Sequence, residues 1–229
     1  MIKEITIAGI TLDNYSVKES IIMIEKCLSA NFFTTIEEVG MKTLFLATED
    51  NVVKETLEKM DMTIIVETEM LQAMEQLTMQ RKHEIEEQEF FFQLMKKMDR
   101  GRKSVFLLGE TEQEIEKASE FILEEFPHIC MVGSRALENC SGAEEGIIND
   151  INAITPDMVI SVLPSPIQEH FLAAHKGMLS TNLWYGVGSG KFETSKHSFA
   201  RKVMKWIRSK RLMEYIKGYE KQEERENEK

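Results

Sequence analysis

The sequence predicts an α/β protein: a mostly parallel, Rossmann-like sheet flanked by helices, followed by a basic helical appendage near the C-terminus. Short runs of β-branched and aliphatic residues alternate along the chain with longer amphipathic stretches, which is the pattern of repeated βα units. Several of the short runs lack polar alternation, as expected for strands buried on both faces. The composition therefore favours parallel strands connected by helices.

Seven segments have the composition of strands. They are 4–11, 42–47, 62–66, 104–108, 129–132, 157–163 and 183–187. Open parallel sheets bind ligands just outside the carboxyl ends of their strands, so the residues that directly follow these segments are candidate site residues. Many of these residues are carboxylates and glycines.

Capping residues mark the starts of the predicted helices. Ser16 followed by Glu19 is a capping box, and Thr111 followed by Glu114 is a second one, so a helix is expected to begin at each. Further helices are predicted at 50–60, 68–80, 86–99, 142–154 and 199–217.

Charge and composition exclude several classes of function. The 229 residues carry a formal net charge of −11, which argues against nucleic acid as a partner. The three cysteines are far apart and form no CxxC pair, so neither a disulfide framework nor a thiolate zinc site is predicted. His83, His170 and His175 show no metal-ligand spacing with nearby acids, so these residues predict no metal site. Since no apolar run approaches the ~20 residues that span a bilayer, and the first residues lack the apolar core of a secretion signal, we expect a cytoplasmic protein.

The charge is distributed unevenly. Residues 201–217 hold seven Lys or Arg and one Glu, whereas the preceding body is acidic. A basic amphipathic helix that carries Trp206 is typical of a surface for anionic lipid, although docking on the acidic body would also satisfy this charge contrast. We therefore divide the chain into an α/β domain at 1–196 and an appendage with a charged tail at 197–229.

Two sequence blocks lie in the second half of the chain. The first block, 166–169 (PIQE), follows a predicted strand. Ser165 is the predicted N-cap of the next helix and Pro166 its first residue, so the side chain of Gln168 is expected to form a hydrogen bond back to Ser165. The second, 186–193 (GVGSGKFE), closes the last predicted strand, and its GxGxG spacing differs from a dinucleotide fingerprint.

In this order and spacing, the two blocks resemble the WecG/TagA/CpsF family of bacterial glycosyltransferases. GITLDN at 9–14, SVFLLG at 104–109 and Met213-Glu214-Tyr215 resemble three further stretches of that family, so the resemblance spans almost the whole chain. It implies inverting transfer of an N-acetylhexosamine-type sugar from a UDP donor to a polyprenyl-diphosphate-linked acceptor, with no cofactor or metal. Such chemistry serves the synthesis of cell-wall or surface polysaccharides such as teichoic acid, at the inner face of the membrane. Family members often form homo-oligomers, and the sequence leaves the oligomeric state open.

The resemblance also implies roles for particular residues. Glu67 is the carboxylate nearest to the position of the family's catalytic aspartate, and Arg81 or Lys82 stands in for an arginine. Arg208 and Arg211 are the candidates for contact with the acceptor or the membrane. The residues expected to bind the donor substrate are Thr48, Asp50, Gly109, Gln168, Glu169, Gly186 and Gly188.

Several signature residues of the family are replaced in this chain, which keeps alternatives open. The aspartate becomes Glu67, the Thr-x-Asn block becomes Thr48-Glu49-Asp50, and the Arg-Ala-Pro signature becomes Phe199-Ala200-Arg201. One alternative is a catalytically degenerate member that acts as a binding or scaffolding subunit. An unrelated nucleotide-binding α/β domain is disfavoured by the paired blocks. For single residues, Glu67 could be a solvated loop acid and Gly109 a plain strand-to-helix turn.

Overall fold

The computed structural model describes residues 3–29, 32–139 and 144–192. Within these ranges, six parallel strands form one sheet with helices on both faces, and a two-stranded hairpin precedes it. The predicted α/β class is therefore confirmed. The basic appendage predicted at 197–229 lies outside the described residues, and the division at residue 196 stays a prediction.

The elements follow one another as the alternating pattern predicts. The strands are β1 (Glu4–Ile7), β2 (Ile10–Asp13), β3 (Thr34–Val39), β4 (Met62–Ile65), β5 (Ser104–Gly109), β6 (Cys130–Ala136), β7 (Met158–Ser161) and β8 (Leu183–Gly186). The helices are α1 (Val17–Ser29), α2 (Met41–Glu49), α3 (Asn51–Glu58), α4 (Thr68–Ala73), α5 (Met79–Glu86), α6 (Glu89–Arg100), α7 (Glu112–Glu125), α8 (Glu145–Ile154) and α9 (Ile167–His175). Short 3-10 turns, Leu137–Asn139 and Lys176–Met178, follow β6 and α9.

The order of strands places the last two at the centre of the sheet. The order is β4-β3-β8-β7-β5-β6, so the chain builds outward from β3 to β4 on one side and from β5 to β6 on the other. Strands β7 and β8 fill the space between. Glu37 of β3 lies beside Gly186 of β8, which lies beside Ser161 of β7. These carboxyl ends form the middle of what we call the carboxyl edge, the position at which open α/β sheets bind ligands.

The core consists of two layers on either side of the sheet and a third cluster beside it. Because successive residues of a strand point to opposite faces, Tyr185 packs with α1, α6 and α7, whereas Trp184 packs with α8 and α9. Trp184 stacks on Phe171 of α9 with ring centroids 5.7 Å apart. The third cluster lies between the hairpin and helices α2 to α4. Helices thus cover both faces of the sheet, which accounts for the apolar runs of the central strands.

The first predicted strand, 4–11, is a hairpin instead. Ala8 and Gly9 have φ angles of 53° and 74°, and two consecutive left-handed residues form the tight turn that the twist of a two-residue hairpin favours. Strand β2 is tied to the main sheet by Asp13, whose Oδ2 accepts a hydrogen bond from the amide of Thr63 at 2.8 Å. The predicted strand 4–11 therefore covers β1, the two-residue turn and the first two residues of β2.

The segment 42–47, predicted as a strand, belongs to helix α2. Met41, Leu44 and Ala47 are buried and recur at the spacing of a helix, and this periodic signal lies inside a continuous apolar run. By composition, a short apolar run is compatible with a buried strand and with a buried helix. In the folded protein this segment packs as a helix.

The strand that precedes helix α2 is β3, which the sequence analysis did not predict. Its sequence, TTIEEV, contains Glu37 and Glu38, and adjacent glutamates favour a solvated segment by composition. Both are nevertheless buried, with 0% and 8% of their surface exposed. The sequence does not predict β3 because its carboxylates lie inside the protein.

Most predicted helices are confirmed, with shifted boundaries. Both capping boxes are present: Glu19 Oε2 accepts from the amide of Ser16 at 3.0 Å, and Thr111 Oγ1 accepts from the amide of Glu114 at 3.3 Å. The helix predicted at 68–80 ends at Ala73. The helix predicted at 86–99 is α6, which is separated from α5 by the left-handed residue Gln88 with a φ of 52°.

Candidate functional site

A buried polar cluster lies at the middle of the carboxyl edge. It consists of Glu37 from β3, Gln168 and Glu169 from the first turn of α9, and Gly186 from β8, and we call it the Glu37 cluster. The three side chains are at most 1% exposed. Glu37 faces α9 because its neighbours Ile36 and Glu38 face the opposite side of the sheet.

The two sequence blocks that carry the family resemblance meet in this cluster. A Cβ added to Gly186 would lie 2.5 Å from Nε2 of Gln168, so the amide of Gln168 packs directly over the backbone of β8. A larger residue at 186 would force the Gln168 amide to move from this position. The sequence places Gln168 and Gly186 in separate blocks, and the fold joins them.

We expect Gly186→Ala to lower the free energy of unfolding by about 1–3 kcal/mol, the usual cost of overpacking a core. The added methyl group would displace Gln168, which is enclosed on every side. Urea unfolding would measure the loss. Gly146→Ala is the matched control, because a Cβ at Gly146 of α8 meets no atom within 4 Å. Equal stability of the two variants would contradict the packing argument.

The predicted capping role of Gln168 is wrong. The N-cap of α9 is Pro166, which offers no side-chain hydrogen bond, and Ser165 lies one residue before it. The hydroxyl of Ser165 donates to Oε1 of Glu169 at 2.5 Å and lies 2.9 Å from the hydroxyl of Thr43 on α2. These contacts connect the start of α9 with α2 across the carboxyl edge.

The two buried carboxyls of the cluster share one low-dielectric environment. Burial raises the pKa of Glu37 well above its ordinary value, and the nearby charge of Glu169 raises this pKa further, while a contact with Gln168 acts in the opposite direction. Neither carboxyl oxygen of Glu37 has a partner of normal hydrogen-bond geometry among the described residues. The arrangement favours a protonated Glu37 carboxyl in the folded protein.

The negative charge of Glu38 is compensated by Lys191 and Tyr185 on the other face of the sheet. Lys191 donates to both carboxylate oxygens at 2.8 and 2.7 Å, and the hydroxyl of Tyr185 donates at 2.5 Å. Burial and the charge of Glu38 raise the pKa of Tyr185 well above its ordinary value. Lys191 follows the glycine turn after β8, so this ion pair anchors the turn to β3. Gly188 in this turn has a φ of 70°, a backbone conformation that favours glycine.

Glu67, the predicted catalytic carboxylate, lies at the carboxyl edge between β4 and α4, and it is half-buried. Its Oε1 accepts a hydrogen bond from the amide of Met41 at 3.2 Å, and a Cβ at Gly40 would lie 2.6 Å from the same oxygen. Since Gly40 gives α2 no side-chain cap, Glu67 supplies one from outside the helix. Glu67 therefore has a structural partner and is more than a solvated loop acid.

Thr48 and Asp50 do not follow a strand, so their predicted location is wrong. Thr48 donates its hydroxyl to the carbonyl of Phe45 within α2 at 2.7 Å. Asp50 is the N-cap of α3 and accepts from the amide of Val52 at 2.8 Å, while its second oxygen lies 2.7 Å from Nε2 of His170. Both residues have roles in helix geometry.

Gly109 lies at the carboxyl end of β5, as predicted. A Cβ at this position would lie 2.9 Å from Ile115 of α7 and 3.0 Å from Val162. Close packing of α7 on the sheet thus explains the glycine, and its proposed contact with substrate stays a prediction. Arg208 and Arg211 lie outside the described residues.

The described ranges contain neither a cluster of metal-binding side chains nor a membrane-spanning helix. No group of three or more His, Cys, Asp and Glu side chains is arranged to hold a metal ion in 3–29, 32–139 or 144–192. In that same part of the chain, no helix combines the length and apolar character needed to cross a membrane.

A small cavity beside Glu38 is lined in part by Arg81, one of the two residues predicted to stand in for an arginine of the family. Arg81 of α5 is only 4% exposed and pairs with Glu84 at 2.6 Å. The sequence signal was weak, because RKHEIEEQE has the composition of a solvated helix. The buried ion pair of Arg81 and Glu84 thus lies near the buried ion pair of Glu38 and Lys191.

Comparison with known proteins identifies the family of this chain. The family model described as "Glycosyl transferase WecG/TagA/CpsF family" matches residues 5–211. A protein of Bacillus spizizenii (strain ATCC 23059 / NRRL B-14472 / W23) named N-acetylglucosaminyldiphosphoundecaprenol N-acetyl-beta-D-mannosaminyltransferase is 26% identical over 125 residues, which cover 52% of this chain and 48% of that protein. The aligned segment thus spans about half of the relative. Because the family model covers most of the sequence, the chain belongs to the glycosyl transferase WecG/TagA/CpsF family.

Proposed function

We propose that this protein transfers an N-acetylhexosamine-type sugar from a UDP donor to a polyprenyl-diphosphate-linked acceptor, in the synthesis of a cell-wall or surface polysaccharide. The observation that carries the proposal is the position of Glu67. At the carboxyl ends of β3 and β4, Glu37 and Glu38 are buried, whereas Glu67, the first carboxylate after β4, is partly open to solvent. A base must reach the acceptor hydroxyl, and partial exposure at the carboxyl edge, where ligands of open α/β sheets bind, supports this role for Glu67.

The chemistry assigned to Glu67 is a single displacement. The acceptor hydroxyl oxygen attacks the anomeric carbon, its proton passes to the carboxylate of Glu67, and the bond from that carbon to the UDP oxygen breaks. UDP departs with the bonding electron pair. The backbone amide of Met41 donates to Oε1 of Glu67, which holds the carboxylate in place.

The name of the Bacillus spizizenii relative supports the proposed substrates. It gives an N-acetylmannosaminyl group as the group transferred and N-acetylglucosaminyldiphosphoundecaprenol as the acceptor. With a lipid-linked acceptor, we propose that the reaction takes place at the inner face of the cytoplasmic membrane. We assign Arg208 and Arg211 to contact with that acceptor or with the membrane surface, and teichoic acid is one polymer that such a transfer would serve.

Acceptor-dependent release of UDP tests this proposal. UDP-N-acetylhexosamines and the corresponding uronic acids would be offered with a polyprenyl-diphosphate-N-acetylglucosamine analogue, and we expect release with at least one donor only when the acceptor is present. A donor at about 100 times its Kd should also raise the free energy of unfolding by about 2.7 kcal/mol, measured as a thermal shift against a CDP-sugar control.

A second candidate is a degenerate family member that binds a partner or ligand without turnover. The observation that favours it is the capping of α2 by Glu67, because this contact accounts for the carboxylate without catalysis. No UDP release with any donor, together with no thermal shift from UDP, would decide for this candidate.

A further inference from the structure

The Glu37 cluster contains two carboxyl groups and no basic side chain. Glu37 extends from β3 beside Gly186, and Glu169 approaches it from the first turn of α9. Both side chains are completely buried. Both oxygens of Glu37 and Oε2 of Glu169 lack a hydrogen-bond donor among the described residues. Two ionised carboxylates would therefore place two like charges and three unpaired oxygens away from water, which is strongly unfavourable.

A single proton between the two groups removes this conflict. Oε1 of Glu169 accepts from the hydroxyl of Ser165 at 2.5 Å, as expected for the ionised member of the pair. Its Oε2 is then the acceptor for the O–H of a protonated Glu37. Burial and the charge of Glu169 raise the pKa of Glu37, which agrees with this distribution. The pair as a whole carries one negative charge and one proton.

The other charged groups around the pair are bound elsewhere. On β4, Thr63 lies beside Glu37 and binds Asp13 of β2, while Glu38 and Tyr185 lie on the opposite face of the sheet. Among the described residues, Glu169 is the one charge that raises the pKa of Glu37. The remaining titratable side chains of α2, α3 and α9 are the pairs His170–Asp50, His175–Glu144, Lys54–Glu58 and Lys59–Glu55, and the exposed Lys42 and Glu49.

Hydrogen bonds connect Glu169 to the proposed base. Ser165 donates its hydroxyl proton to Glu169, so the hydroxyl of Thr43, which lies 2.9 Å away, donates to Ser165. Thr43 lies in the first turn of α2, two residues after Met41. The amide of Met41 donates to Oε1 of Glu67 at 3.2 Å. The buried pair is therefore joined to Glu67 across the carboxyl edge, by way of the start of α2.

We propose that Glu37 and Glu169 share one proton, and that this proton keeps Glu67 in position through Ser165 and the start of α2. The inference rests on the proposed function, because it assigns positioning residues to that reaction. Loss of the proton leaves two buried charges of the same sign side by side. Their repulsion moves Glu169 and its partner Ser165, so the start of α2 and Glu67 shift as well. A shift of about 1 Å lowers turnover on the order of a hundredfold.

Infrared spectroscopy tests the shared proton without any substrate. Exposed carboxyls are ionised at neutral pH, so a carboxylic acid band at about pH 7 reports a buried carboxyl. We expect this band in the wild type and a weaker or absent band in Glu37→Gln. Identical spectra of the two proteins in this region would overturn the shared proton, whether or not the protein turns over a donor.

The pH profile of acceptor-dependent UDP release tests the positioning role. Glutamine at 37 is a neutral hydrogen-bond donor at every pH, so Glu37→Gln should lack the alkaline loss that the wild type shows. Relative to its value at about pH 7, wild-type turnover should fall by up to about tenfold per pH unit once the pair loses its proton. The midpoint should coincide with the disappearance of the acid band. Equal profiles of both proteins up to about pH 10, or different midpoints, would overturn the positioning role.

A matched pair of variants at Thr43 tests the connection through α2. Thr43→Val keeps the shape of the side chain without its hydroxyl, whereas Thr43→Ser keeps the hydroxyl. We expect Thr43→Val to lower kcat by about tenfold or more with little change in the KM of the donor, and Thr43→Ser to recover most of the turnover. Equal kcat values for the two folded variants would contradict the connection.

The amide resonance of Met41 provides a second readout without substrate. Its NMR shift should change with pH in the wild type at the midpoint of the acid band and stay constant in Glu37→Gln. A constant shift in both proteins would overturn the coupling of the pair to α2. A wild type without turnover that still shows both spectroscopic transitions would overturn the proposed reaction and retain the shared proton and its coupling to Met41.

Discussion

Glu67→Gln is expected to lower acceptor-dependent UDP release by about 10²–10⁴-fold, the usual contribution of a general base. Glutamine has nearly the same shape, and its side-chain oxygen can still accept the hydrogen bond from Met41 that caps α2. The free energy of unfolding should therefore change by less than about 0.5 kcal/mol. Steady-state UDP release and urea unfolding, measured on the same preparation, separate the loss of chemistry from a loss of structure.

Glu110→Gln is the control for this substitution. Glu110 follows β5 at the carboxyl edge, so its replacement removes one charge from the same edge without touching β4. We expect turnover close to that of the wild type. If Glu67→Gln also retained wild-type turnover and the donor still bound, Glu67 would be a cap alone and another group would be the base.

Glu37→Gln is expected to raise the free energy of unfolding at neutral pH, by about 1 kcal/mol or more. Below the ordinary pKa of a glutamate, the carboxyl is protonated in the folded and the unfolded chain. As the pH rises, the unfolded chain ionises first because burial holds the folded pKa of Glu37 higher. The free energy of unfolding then falls by up to about 1.4 kcal/mol for each pH unit until the raised pKa is passed. Glutamine is neutral throughout and removes this loss.

Urea unfolding between pH 4 and 8 would test this sign, and Glu38→Gln provides the matched control on the same strand. Glu38 is paired with Lys191, so its neutralisation leaves a largely buried ammonium without its counter-charge and should cost about 3 kcal/mol. Adjacent glutamates thus have opposite expected effects. Destabilisation by Glu37→Gln at neutral pH would show that its carboxylate is ionised and compensated in the folded protein.

Local sequence signals determined a large part of this fold. The capping boxes at Ser16 and Thr111 fixed the starts of two helices, because their hydrogen bonds lie within four residues of chain. The apolar runs at 104–108 and 183–187 identified central strands, because a strand covered on both faces has no polar side. The two blocks at 166–169 and 186–193 identified the family, which the match over 5–211 confirmed.

Tertiary structure decided the character of the site. Glu37 and Glu38 are adjacent in sequence, yet one faces α9 and a second carboxyl while the other faces Lys191. The contact of Gln168 with Gly186, and the burial of Arg81, also depend on elements far apart in the chain. Local patterns indicate which segments become helices and strands, because those structures are stabilised by near neighbours. The protonation, pairing and exposure of a charged side chain depend on the surfaces that cover it, and only the packed sheet and helices supply those surfaces.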